Sequence, residues 1–143
     1  MKIYHFCAPQ FLRGIQKQGL TLGVTPYRTN GKIAYLRGTQ WMTVNPEFAQ
    51  PWNGMVSIRY DRTAFRLTYT IPKPERSRLL TWWELKARMQ RELGEESILP
   101  DFDDDVDAAS WRIFLGRVKP GWLRAVLAKP EAAVPVDASK KPE

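Results

Sequence analysis

Residues 2–20 read KIYHFCAPQFLRGIQKQGL. Between Lys2 and Cys7 the pattern is that of a strand, with Ile3, His5 and Cys7 on one face and Tyr4 and Phe6 on the other. Pro9 suits the first turn of a helix, where its missing N–H leaves no bond unmade. Phe11, Leu12 and Ile15 then recur at helical spacing. Gly19 fits the left-handed position after a helix end, and Leu20 can fold back on the last turn. Strand, short helix and glycine stop therefore fill this stretch. The chain's only histidine, His5, lies in its first strand.

Downstream, residues 21–32 read as a loop, with Pro26 and the Asn30-Gly31 pair as turn signals. Residues 33–36 and 40–44 are short strand candidates on either side of Arg37-Gly38. NPEFAQPW, residues 45–52, suggests one Asn-capped helical turn that ends before Pro51. Residues 55–60 and 65–71 alternate strictly between apolar and polar, and DRTA between them predicts a hairpin. A helix is signposted by Thr81 as N-cap and Glu84 three residues on, a capping box. Trp82, Leu85, Met89 and Leu93 form its apolar stripe, Glu84–Arg88 and Arg88–Glu92 are favourable charge pairs, and Gly94 ends it. Strands follow at 111–118 and 122–127, joined by a Lys119-Pro120-Gly121 turn. The class predicted is α+β, mainly antiparallel, with six or seven short strands and two or three helices.

With 43% hydrophobic residues, 143 residues can build one core without disulfides or a structural metal. One globular domain over 1–129 and a disordered Ala/Pro/Lys-rich tail over 130–143 are expected. A single cysteine, Cys7, cannot bridge internally and reads as a core thiol in a reducing compartment. No signal-peptide pattern and no apolar run of membrane-spanning length is visible, so a cytoplasmic protein is expected. The net charge is +7, and about +8 without the tail. Such a field suits an anionic partner, whether nucleotide, nucleic acid or acidic protein surface; it also suits plain solubility.

Several chemistries lack their usual residues or motifs. One histidine and one cysteine make no usual zinc site, and no metal site is assigned. There is no phosphate-binding glycine loop and no GxGxxG fingerprint. No serine has a nucleophile-elbow setting. The stretch Asp101–Asp107 lacks the glycine and terminal glutamate of a calcium loop and reads as solvated. Arg59, Arg62 and Arg66 surround one predicted turn. They are candidate contacts for nucleic acid or a protein partner, with Trp41, Trp52 or Tyr60 as stacking platforms. The same arginines equally suit the solvent face of a sheet. Of the six tryptophans, Trp82, Trp111 and Trp122 read as core, and Trp83 as partly exposed. Trp41 stands near a strand end that feeds a loop, a usual place for a ligand.

YHF, then a short helix, then GL resembles the start of ADP-ribosyltransferase-like proteins. QWMTVNP, with Trp41 and Thr43, looks like that superfamily's second motif. SWRIFLGRVKPGWL looks like its late strand with a Gly-x-Val-x-Pro exit, and YDRTAFRLTYTIP resembles small phage and bacterial proteins of this type. The resemblance spans residues 2–127 and implies a strongly bent, split sheet that binds NAD. It would place His5 on a ribose hydroxyl, Trp41 and Thr43 at the nicotinamide, Arg37 or Arg28 on the pyrophosphate, and residues 21–32 as a lid. The implied activity is transfer of ADP-ribose to a macromolecular target such as an acidic or nucleoprotein surface. The implied setting is a phage or mobile-element factor acting on host defence. One departure matters: the late strand offers Ser110, Trp111 and Arg112 where the family has a catalytic Glu. The catalytic residue is therefore unassigned, with Glu47 and Asp107 the nearest substitutes. That gap motivates an alternative, a catalytically degenerate protein that occludes a host complex. A basic nucleic-acid-binding module is the third reading.

Overall fold

A computed structural model of the chain describes residues 1–48, 56–57, 60–61, 63–94 and 108–130. In chain order the elements are β1 (Lys2–Cys7), α1 (Pro9–Gln18), β2 (Val24–Thr29), β3 (Lys32–Arg37), β4 (Thr39–Thr43), β5 (Val56–Ser57), β6 (Tyr60–Asp61), β7 (Phe65–Thr70), β8 (Leu79–Thr81), α2 (Trp82–Leu93), β9 (Trp111–Leu115) and β10 (Leu123–Ala128). Short 3-10 segments cover Lys73–Arg78, Ala108–Ser110 and Pro120–Trp122. The fold is α+β. Its main sheet has six strands in the order β10-β7-β1-β4-β9-β8, with every pairing antiparallel. No described helix is long and apolar enough to cross a membrane.

Each face of this sheet carries its own core. On one side Ile3, Cys7, Met42, Leu67, Tyr69 and Phe114 are buried, and Leu12 and Ile15 of α1 pack on them. On the other, Trp82, Leu85 and Met89 of α2 pack against Trp111 and Ile113 of β9. The stripe read from the sequence is therefore the face that α2 buries. The capping box is complete. Thr81 Oγ1 accepts from the Glu84 N–H at 3.2 Å, and Glu84 Oε1 accepts from the Thr81 N–H at 3.1 Å. Arg88 and Glu92 form the i,i+4 pair at 3.0 Å.

Both helices stop at glycine, as expected, but Gly19 is not in the left-handed helical conformation expected of it. Gly19 has φ 83°, ψ −171° and Gly94 has φ 86°, ψ 165°. These are extended backbones of the mirror hand, a region essentially closed to residues with a Cβ. Gly19 turns the chain so that Leu20 bridges Val118.

Three expectations are corrected. First, β7 does not form a hairpin with the strand before it; it pairs with β1 along its whole length and with β10 on its other edge. β5 pairs with β6 instead. Alternation marks a strand's faces and leaves its partner open. Second, residues 21–32 are not a lid-like loop, because β2 pairs with β3 from Val24–Arg37 to Thr29–Lys32 around the Asn30-Gly31 turn. Third, residues 45–48 are not helical; Asn45 Oδ1 accepts from the Glu47 N–H at 3.0 Å, a local Asx turn. β8, directly after the Lys73–Arg78 segment, adds a short edge strand that the sequence pattern does not announce. The rest of the NPEFAQPW turn, Trp52, Arg59, Arg62, the acidic stretch 101–107 and residues 131–143 lie outside the described residues.

Candidate functional site

His5 stands where the sheet is weakest. β1 pairs with β7 from Lys2 to Cys7, but with β4 only at Tyr4–Thr43. One residue further on, the ladder gives way to a side-chain bond, His5 Nδ1 to the Trp41 carbonyl at 2.8 Å. A carbonyl only accepts, so Nδ1 carries the proton and, in the neutral ring, Nε2 carries the lone pair. Desolvation pulls the imidazole pKa below its ordinary 6.5, against the smaller upward pull of the Trp41 carbonyl. The ring is neutral at pH 7.

That shift has a signed consequence. The folded imidazole binds its proton less tightly than the unfolded one. Below pH 6.5 the unfolded chain therefore takes up more protons, and stability falls with acidification until the folded ring titrates too. Above 6.5 the His5 contribution is complete. Urea midpoints from pH 7.5 down to 5 should fall more steeply for wild type than for His5→Gln. Parallel slopes would show that His5 is not the group responsible.

Trp41 and Thr43 belong to the other face. Tyr4 opposite Thr43 sets these two on one side, and Trp41, two residues from Thr43, shares it. Its ring lies 5.6 Å from Trp82 and 5.5 Å, edge-on, from Trp111. The Trp41 N–H starts a directed chain: it donates to Thr25 Oγ1 at 3.1 Å, and Thr25 and Thr39 hydroxyls meet at 2.9 Å. Thr39 donates to the Leu36 carbonyl at 3.2 Å, so its oxygen must accept the Thr25 proton. Thr25 and Thr39 are buried, and this relay ties the β2–β3 hairpin to β4. Thr43 is committed likewise, donating to the Ser110 carbonyl at 3.3 Å and accepting from the Asn45 N–H at 3.0 Å. The expected pocket walled by the His5 and Trp41 rings does not form, because their side chains leave opposite faces of the sheet.

Arg37 does not join Trp41 either. Its neighbour Leu36 packs inward with Trp41, while Arg37 is exposed on the outer side of the hairpin, as is Arg28. Arg66 does share the Thr43 face, since it lies opposite Phe6 on β1. Its guanidinium carbon is 5.3 Å from the ring centres of both Tyr4 and Phe48. One terminal nitrogen donates to the Pro46 carbonyl at 3.0 Å. Arg66 thus clamps residues 46–48 onto β1 and β7 through a cation between two rings. Alternation had placed Tyr4 and Phe6 on one face; nothing in the local pattern pointed to Phe48 as the third member.

No family model matches the chain, and no curated protein or solved structure matches it either.

What these groups can do follows from their chemistry. β9 presents Trp111, Arg112, Ile113, Phe114 and Leu115, with no carboxylate. Arg112 donates to the Ala109 and Trp111 carbonyls. Glu47 is exposed, and Asp107 lies outside the described residues. Among the described residues no three of His, Cys, Asp and Glu come together as a metal site would need. The Cys7 thiol is buried and pushed up to about 11 by desolvation, so it stays protonated and unreactive at neutral pH. An open groove of about 1010 Å³ runs beside α2, lined by Leu80, Glu84, Arg88 and Arg91 among others, and none of the expected site residues lines it. What remains for chemistry is one neutral imidazole able to accept a hydrogen bond, without a described acid beside it.

Proposed function

We propose that this chain is an ADP-ribosyltransferase-like, split-sheet protein that acts by binding rather than by catalysis, occluding a macromolecular complex through contact with an acidic surface. The observation that carries this reading is the missing late-strand carboxylate: β9 holds an arginine and apolar residues where the transfer chemistry needs a negative charge beside a developing oxocarbenium ion. The commitment of Trp41 and Thr43 to internal hydrogen bonds adds support. The single-pair β1–β4 junction at His5 suits a sheet that splits there. In the setting the resemblance implies, such a protein serves a phage or mobile element against host defence.

A second reading, an NAD-dependent transferase, is favoured by one feature. His5 is neutral with its tautomer set, so Nε2 is free to accept from a ribose hydroxyl. One experiment separates the two. Incubation with NAD and host extract should release no nicotinamide above the rate without protein, and calorimetry with NAD should show no saturable heat. Nicotinamide release that disappears in His5→Ala would overturn the binding reading and leave the enzyme.

A further inference from the structure

We infer that the outer face of the β2–β3 hairpin is the docking surface, and that its partner is an acidic protein segment with an apolar centre. The inference rests on the binding reading above and deepens it. The register stacks three outward cross-strand pairs, Val24–Arg37, Pro26–Tyr35 and Arg28–Ile33. All six residues are exposed, and Leu22 just before them is 87% exposed. Ile33 and Tyr35 are 58% and 59% exposed, on strand positions where a ribbon resting on a sheet ordinarily shows polar side chains. The inner face is already used, with Thr25, Tyr27 and Leu36 turned toward Trp41 and the α2-side core. The outer face therefore has an apolar middle, Pro26 and Tyr35, with an arginine at each end.

Charge selects the partner. From Met1 to Pro46 the sequence contains no Asp or Glu, while Lys2, Arg13, Lys17, Arg28, Lys32 and Arg37 are all cationic. No carboxylate on the hairpin neutralises its own arginines. Pairing this face with the same face of a second copy would set these cations against themselves, which disfavours a symmetric dimer through it. Single-stranded nucleic acid would find phosphate partners but only one aromatic platform. Apart from the Tyr35 hydroxyl it would also find no neutral hydrogen-bonding side chain among the six, whereas nucleic-acid faces are markedly polar. Tyr35 and the two arginines are residue types enriched at protein-docking centres, and the exposed Val24, Ile33 and Leu22 beside them are apolar surface that such a contact would bury. Pro26 has no N–H to offer an incoming strand, so contact is through the face rather than the β2 edge.

The test uses the full chain and a fluorescent, glutamate- and leucine-rich synthetic peptide, followed by anisotropy and by amide chemical shifts. Binding should perturb residues 22–37. It should weaken about tenfold or more in both Ile33→Ser/Tyr35→Ser and Arg28→Glu/Arg37→Glu. All four positions are exposed, so denaturation midpoints of the variants should match wild type. Failure of the peptide to bind overturns the inference. So does oligothymidine binding on the same residues without peptide binding, or concentration-dependent dimerisation through them. Peptide affinity that survives both variants sinks the hairpin assignment alone. NAD cleavage in the preceding assay would sink the binding reading and leave this assay interpretable.

Discussion

Trp82→Ala is expected to lower unfolding stability by about 3–5 kcal/mol, a loss typical of deleting a buried tryptophan. Trp82 is wholly buried at the first position of α2, directly after the Thr81 cap. Its ring lies against Trp41, which meets Trp111 edge-on, so removal opens a void at the centre of the α2-side core. A domain of this size is commonly stable by only about 5–15 kcal/mol, so the variant loses a large share of its margin. The next residue provides the control. Trp83 is 46% exposed, and Trp83→Ala should cost much less. Urea unfolding should show a lowered midpoint for Trp82→Ala with an unchanged slope. Equal midpoints for the two variants would mean that α2 does not dock by this face.

Gly19→Ala should also be severe, at about 3 kcal/mol or more, because two penalties coincide. The backbone at φ 83°, ψ −171° strains any residue with a Cβ, at about 1–3 kcal/mol. In addition, the new methyl would run into the carbonyl oxygen of Val118. That oxygen accepts from the Leu20 N–H at 2.9 Å, and the Leu20 carbonyl accepts from the Val118 N–H at 3.1 Å. The clash therefore breaks the junction that pins the end of α1 to the chain leaving β9. Gly94 has nearly the same dihedral angles, but no atom of the described residues lies within 4 Å of where a Cβ would go. Gly94→Ala should lose the backbone part only. Thermal or urea unfolding of both variants reads the difference directly; identical losses would show that the Val118 contact relaxes at no cost.

Much of the architecture was written locally in the chain. β1, the Pro-started α1, the capping box of α2, and strands near 111–118 and 122–127 follow from alternation, helical spacing, caps and glycines. These signals act between residues a few positions apart, so they survive without knowledge of the fold. β8 escaped because three residues are too few to show a period. β2 escaped because its exposed side carries Val24, Pro26 and Arg28, which give no clean alternation in polarity.

Pairing was a different matter. Each strand's own pattern names its two faces but not its neighbour, and six antiparallel strands admit many orders. β7 found β1 and β10 rather than the strand before it. The same gap governs the site. His5 and Trp41 lie 36 positions apart and touch through a 2.8 Å bond, yet their rings leave opposite sides of the sheet. One pair, Tyr4 with Thr43, decides that, since a shift of one residue in register would exchange every side chain between the two faces. Residue chemistry was settled by the order of amino acids; which residues meet was settled by strand register, an outcome of packing two cores at once.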